Sequence, residues 1–174
     1  GALGTPPGNQ VDPQGIRMRR CTTASHAPGT LAQGATAFVQ AGPLMHAGAR
    51  GHVLYVDDEE LNRLLMQALL DFRPGVALQL AADGAAGLAA ARANPPDLVL
   101  LDMRLPDMNG VQLLQALRAE PALAGVPCIA VSANAMPADI ADALRAGFDA
   151  YITKPIASAR LFAEVDRVLA AQQA

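Results

Sequence analysis

Between two acids, the stretch Asp97-Leu98-Val99-Leu100-Leu101-Asp102 is apolar at every position. A segment without alternation has no face to give to water, so it reads as a strand covered on both sides, as in a parallel sheet. Similar short runs recur at His52-Val53-Leu54-Tyr55-Val56-Asp57, from Val76 to Leu80, at Pro127-Cys128-Ile129-Ala130-Val131-Ser132, and from Asp149 to Thr153. Between these runs the apolar period becomes helical. Leu61, Leu64, Leu65, Ala68 and Leu69 recur at helical spacing until Pro74-Gly75 stops them. Asp83 stands as the N-cap of an Ala-rich helix that ends before Pro95-Pro96. Val111, Leu113, Leu114 and Leu117 mark a third helix, Pro137 opens a fourth, and Leu161, Phe162, Val165, Val168 and Leu169 form the stripe of a fifth. Five strands alternating with five helices predict an α/β fold, doubly wound around a five-stranded parallel sheet. Such sheets place their sites at the carboxyl ends of the strands.

This order begins only near Ala49-Arg50-Gly51. Residues 1–50 hold 8 of the 15 Gly and 5 of the 13 Pro, with four Arg, one Asp and no Lys or Glu. Their net charge is +3, against −6 for residues 51–174. Without apolar periodicity, residues 1–50 read as a linker or poorly ordered segment, and residues 51–174 as the folded domain. No run approaches the roughly 18 apolar residues of a membrane span, and no basic-then-apolar leader opens the sequence, so no membrane contact is expected. Two cysteines, Cys21 and Cys128, are too few for a disulfide framework and predict a reducing, cytoplasmic setting. A net charge of −3 argues against direct nucleic-acid binding.

Charge or hydroxyl stands at four strand ends in otherwise apolar company. The first strand runs into Asp57-Asp58, the third ends in Asp102, the fourth in Ser132, and the fifth is followed by Lys154-Pro155. The predicted topology brings these to one edge of the sheet. Three clustered carboxylates repel one another, and a hard cation relieves that repulsion. Mg²⁺ suits oxygen ligands of this kind. A lysine and a hydroxyl beside it would complete a cradle for a phosphoryl group.

These residues closely resemble the receiver domain of two-component response regulators over roughly residues 52–172, a flavodoxin-like fold. The resemblance rests on Val56-Asp57-Asp58-Glu59, on Asp102-Met103-Arg104-Leu105-Pro106-Asp107-Met108-Asn109-Gly110, on Ser132-Ala133-Asn134-Ala135, and on Tyr151-Ile152-Thr153-Lys154-Pro155. The spacings of 44 residues from Asp58 to Asp102, 30 to Ser132 and 22 to Lys154 also suit it. It implies that Asp102 accepts a phosphoryl group from a phosphohistidine on a histidine kinase or histidine phosphotransfer protein. It implies Mg²⁺ bound directly by Asp58, Asp102 and the carbonyl of Arg104, with Asp57 acting through bound water. Lys154 would pair with the acceptor and then with the phosphoryl group. Ser132 would donate to the phosphoryl oxygens, and Tyr151 would turn inward as Ser132 shifts. The Arg104 and Asn134 side chains would flank the phosphoryl group and set its lifetime. Lys154-Pro155 is often a cis peptide in this family. A homodimer is compatible with such a domain.

Residues 28–39 are loosely similar to the closing strands of histidine-kinase ATP-binding domains, which points to the C-terminal receiver of a hybrid histidine kinase. The chain itself would then catalyse only its own phosphorylation and dephosphorylation. Arg17, Arg19 and Arg20 read as a solvated linker segment, and His26 lacks the helix and the following acid of a phosphoacceptor box. Cys128 reads as a small core residue. Two other functions fit parts of the pattern. A haloacid-dehalogenase-like phosphatase shares the strand-end Asp, hydroxyl, Lys and Mg²⁺, but needs a second Asp two residues after the nucleophile, where this chain has Arg104. A degenerate receiver used only for docking would have lost phosphorylation residues, all of which are present here.

Overall fold

The structure, a computed structural model, describes residues 49–174. The readings placed on residues 1–48, including Cys21, His26, the arginine cluster and residues 28–39, lie outside the described residues. The elements run β1 (Gly51–Val56), α1 (Glu60–Leu70), β2 (Val76–Ala81), α2 (Gly84–Ala93), β3 (Leu98–Asp102), α3 (Gly110–Ala119), β4 (Cys128–Ser132), α4 (Pro137–Ala146), β5 (Ala150–Thr153) and α5 (Ser158–Gln172). The strands form one parallel sheet in the order β2-β1-β3-β4-β5, as the alternation predicts. Each strand lies within one residue of its apolar run.

Every residue of β3 and β4 is buried. Side chains alternate between two cores. Leu54, Val56, Val99, Leu101 and Ala130 meet Leu113, Leu114 and Leu117 of α3, Ala91 of α2 and Ala143 of α4. Val53, Tyr55, Leu100, Ile129, Val131 and Ile152 meet Met66 and Leu70 of α1 and Leu161, Val165 and Leu169 of α5. Cys128 belongs to the first core, where burial pushes its thiol up to about 12.

Helices α2 and α4 start where the sequence predicts, whereas α1 ends at Leu70, four residues before Pro74-Gly75. The Asp83 carboxylate accepts the N–H of Ala86, and Pro137 is the first residue of α4. Asn109 and Gln112 form a capping box on α3. Gly147, with φ of 109°, closes α4 in the left-handed conformation that a side chain would strain. The Lys154–Pro155 peptide is cis.

Helix α1 differs from expectation in what it buries. Its periodic leucines mark the helix correctly, yet the residues it sinks into the core are Met66 and Leu70. Leu61, Leu64 and Leu65 are 78%, 56% and 42% exposed, and Phe72 just beyond is 77% exposed. The physical reason lies at the helix start. Asn62 turns toward the carboxylate of Asp57, and Arg63 donates to its carbonyl, so these contacts fix which side of α1 faces inward.

Candidate functional site

The parallel sheet sets the ends of β1, β3, β4 and β5 side by side. Asp102 pairs with Val131, Ser132 with Thr153, and the Lys154 N–H donates to the carbonyl of Ser132 at 2.7 Å. Asp57 extends β1 by one residue, its N–H donating to the Ala81 carbonyl. Lys154 is the chain's only lysine. Its ammonium lies 2.7 Å from Asp57 Oδ2 and 2.5 Å from Asp102 Oδ2. Asp58 is exposed beside them. One carboxylate oxygen each from Asp57, Asp58 and Asp102 lie within 4.8 Å of one another. A cluster of hard oxygens like this fits Mg²⁺.

The carboxylates differ in surroundings. Asp57 is fully buried, and burial alone would raise its carboxyl. Hydrogen bonds from Lys154, Tyr55, Asn62 and the Glu59 N–H outweigh that and hold it below the usual range. Burial raises Asp102, and hydrogen bonds from Lys154 and the Arg104 N–H only partly oppose it. Burial would lower Lys154, but its two carboxylate partners raise it, so it stays charged. A half-buried lysine held between two acids keeps its positive charge beside both carboxylates.

Ser132 Oγ accepts the N–H of Asn134 at 3.1 Å, and the Tyr151 hydroxyl donates to the Asn134 carbonyl at 2.8 Å. Tyr151 is buried and already turned inward. With Met103, Arg104, Val111, Asp139, Asp142 and Ala143, these residues line a cleft of about 450 Å³ beside the acid cluster. Arg104 and Asn134 thus share one cleft.

Sequence reasoning passed over three participants. Tyr55 counted only as a strand hydrophobe, yet its hydroxyl lies 2.5 Å from Asp57 Oδ2. Residues two apart on extended chain share a face, and that was the available signal. Asn62 also binds Asp57. Asp107 accepts the N–H groups of Gly84 and Ala85, capping α2 from the β3–α3 loop. Asp57, Asp58 and Glu59 have a simpler reading as helix caps, but Glu59 at the N-cap makes no side-chain capping bond.

Gly110 permits the loop's path. A Cβ there would sit 2.9 Å from the Asp102 carbonyl oxygen and 3.0 Å from Met103 Cα, backbone atoms that cannot rotate away. Gly110→Ala is expected to cost about 1–3 kcal/mol in denaturant unfolding, and an unchanged midpoint would show that the loop has room.

Residues 53–166 match the response regulator receiver domain family. The chain belongs to that family. Its receiver is 42% identical over 118 residues to the transcriptional regulatory protein CseB of Streptomyces avermitilis, covering 68% of this chain and 48% of that protein. The chain therefore spans about half the length of such regulators. It is 34% identical to the polar-differentiation response regulator DivK of Brucella anthropi, covering 67% of this chain and 94% of DivK. Among solved structures, the receiver is similar to the receiver domain of a Pseudomonas aeruginosa sensor histidine kinase with magnesium coordinated in the active site cleft. The TM-score is 0.64 and the identity 32%, with 70% of this chain and 99% of that one covered. A Francisella response regulator receiver domain aligns with a TM-score of 0.65 at 25% identity, over 71% of this chain and 99% of that one. Receiver domains of response regulators act in two-component signalling and bind Mg²⁺ at an acidic site, and family membership sets the phosphatase alternative aside. Among the described residues, no helix is long and apolar enough to cross a membrane.

Proposed function

We propose that this receiver takes a phosphoryl group onto Asp102 from a phosphohistidine of a histidine kinase or histidine phosphotransfer protein. The observation that carries the reading is the chain's single lysine, held between Asp57 and Asp102 where the strand ends meet. An Asp102 carboxylate oxygen attacks phosphorus, the bond to the imidazole nitrogen breaks, and that nitrogen leaves with the electron pair. Phosphoryl transfer has a loose transition state, so positioning and charge neutralisation do most of the work. Asp58, Asp102 and the Arg104 carbonyl would hold Mg²⁺, with Asp57 acting mainly through bound water. Bound there, the ion supplies positive charge to the phosphoryl oxygens. Lys154 follows the phosphoryl group, Ser132 donates to it, and Tyr151 responds through the Asn134 carbonyl.

Acetyl phosphate with Mg²⁺ tests this directly. Intact mass should rise by one phosphoryl group, and chelation should prevent it. A chain that gains no mass under these conditions would contradict the proposal.

The side chain and backbone of Arg104 have separate parts in it. The backbone is fixed by its N–H to Asp102 Oδ1 at 2.8 Å and by a bridge to Asn109, whereas the side chain lines the cleft. Arg104→Ala should leave Mg²⁺ affinity within about a factor of three, since the carbonyl ligand remains. The phosphoaspartate half-life should shorten by more than that factor, because the guanidinium no longer shields the group from in-line water. Equal half-lives would remove the side chain from the mechanism.

We also assign residues 51–174 as the receiver unit and residues 1–50 as a linker, in a cytoplasmic hybrid histidine kinase. The basis is the change of composition at residue 50 and the similarity of residues 28–39 to kinase strands. A chain starting at Gly51 should melt within a few degrees of the full chain; a larger loss would give residues 1–50 a place in the folded unit.

A further inference from the structure

We propose that Tyr55 is a positioning residue of this site: its buried phenol shares Asp57 Oδ2 with Lys154 and so loosens the hold of Asp57 on the lysine, freeing the ammonium to follow the phosphoryl group on Asp102. The inference rests on the reading of Asp102 as phosphoacceptor.

The Asp57 carboxylate is saturated. Oδ1 accepts the Glu59 N–H at 2.9 Å, and Asn62 Nδ2 lies 3.2 Å from both oxygens. Oδ2 accepts the Tyr55 hydroxyl at 2.5 Å and Lys154 Nζ at 2.7 Å. A carboxylate offers about four lone-pair sites, and four protein donors fill them here. With Asp57 fully buried, no solvent is available to replace a lost donor. In the state the structure shows, its charge is met by these four groups.

Lys154 is the one of the four whose bond must change. It bridges Asp57 and Asp102, and a phosphoryl group on Asp102 places new oxygens within its reach. Moving toward them weakens the bond to Asp57. Tyr55 stays, because its ring is locked in the core with Met66, Leu100 and Val131 and its hydroxyl has Asp57 as partner. A fixed neutral donor on the same oxygen compensates Asp57 while the mobile cation leaves. Without the phenol, Asp57 Oδ2 would rely on Lys154 and the long Asn62 contact, and would hold the lysine more tightly.

Tyr55→Phe keeps the ring and deletes only the hydroxyl. At saturating Mg²⁺ and acetyl phosphate, its maximal labelling rate should fall about tenfold, the scale of one charge-assisted hydrogen bond. Half-saturating acetyl phosphate, and Mg²⁺ affinity measured by calorimetry on the unphosphorylated chain, should stay within about twofold, since neither ligand touches the phenol. In an Asp57→Asn background, Tyr55→Phe should change the rate by less than about twofold, because the shared anion is gone. An unchanged rate in Tyr55→Phe overturns the proposal. So does an equal loss in the Asp57→Asn background, or a parallel loss of Mg²⁺ affinity that marks a merely loosened site.

Because Lys154 is the only lysine, selective ¹⁵N-lysine labelling gives a single side-chain ammonium signal. Tyr55→Phe should slow its hydrogen exchange severalfold, and an unaltered signal overturns the proposal independently of chemistry. If the wild type takes no phosphoryl group, the reading of Asp102 falls, and the ammonium signal still decides whether Tyr55 shares Asp57 with Lys154.

Discussion

Asp102→Asn should fold normally and take up no phosphoryl group from acetyl phosphate or from a protein donor. Asparagine matches aspartate in shape, so the strand end and the loop beyond it keep their course. The amide has no carboxylate oxygen with which to attack phosphorus. Labelling at the wild-type rate would move the acceptor elsewhere. The variant also tests the electrostatics. The Asp102 carboxyl is raised above the ordinary 3.8 by burial, so its ionised form is disfavoured in the folded state. A raised group gives its full stabilisation below the unfolded value and loses it as pH rises through the folded value. As pH rises through the folded value, the wild type takes on the burden of the buried charge. Asp102→Asn should melt no lower than wild type at neutral pH, and the difference should narrow as pH falls toward the ordinary carboxylate range. A variant that melts well below wild type at neutral pH would mean that the Lys154 pairing outweighs the cost of burying the charge.

Leu61→Asp with Leu64→Asp should leave labelling by acetyl phosphate unchanged while slowing transfer from a phosphohistidine protein by about two orders of magnitude. On the proposed reading a protein donor would bring its imidazole against Asp102, and its surface would cover the rim of the site. Helix α1 begins at that rim, two residues past Asp58, and presents Leu61, Leu64 and Leu65 to solvent with Phe72 at its far end. On the proposed reading, this exposed apolar surface beside the site would seat the protein donor. A small molecule needs no such surface. The side chains are exposed, so stability should move by no more than about 0.5 kcal/mol. Equal losses with both donors would place the defect in the chemistry rather than in docking.

The same leucines show where sequence reading succeeds and where it stops. Their spacing announces a helix correctly, because period is a local property. Which face turns inward depends on Asn62 and Arg63 reaching Asp57, and apolar periodicity carries no trace of that. The strand ends were legible for a different reason. Acids, a hydroxyl and a lysine that interrupt apolar runs stand out in one dimension, and the parallel topology does the rest. The contact of Tyr55 with Asp57 was half legible, since the two share a face, but an aromatic in a strand is ordinarily packing. The cap from Asp107 to Gly84 spans 23 residues and depends on how the β3–α3 loop bends, so nothing local announces it.

That cap gives the domain a mechanical handedness. Asp107 ties the loop leaving the acceptor strand to the start of α2, and Met108 lies against Gly84, where even a Cβ would collide with it. On this flank the loop is a strut. Across the sheet, the β4–α4 loop has a lighter attachment. Its Asn134 is exposed and bonds Asp139 on the next helix, and a single phenol from Tyr151 ties it to β5. If Asp102 takes a phosphoryl group as proposed, a push there would meet the braced loop toward α2 and the lighter attachment toward α4. The sheet would then work as a lever with one braced arm, displacement leaving by the other through 133–145 and 152–161, its direction set by which loop is pinned.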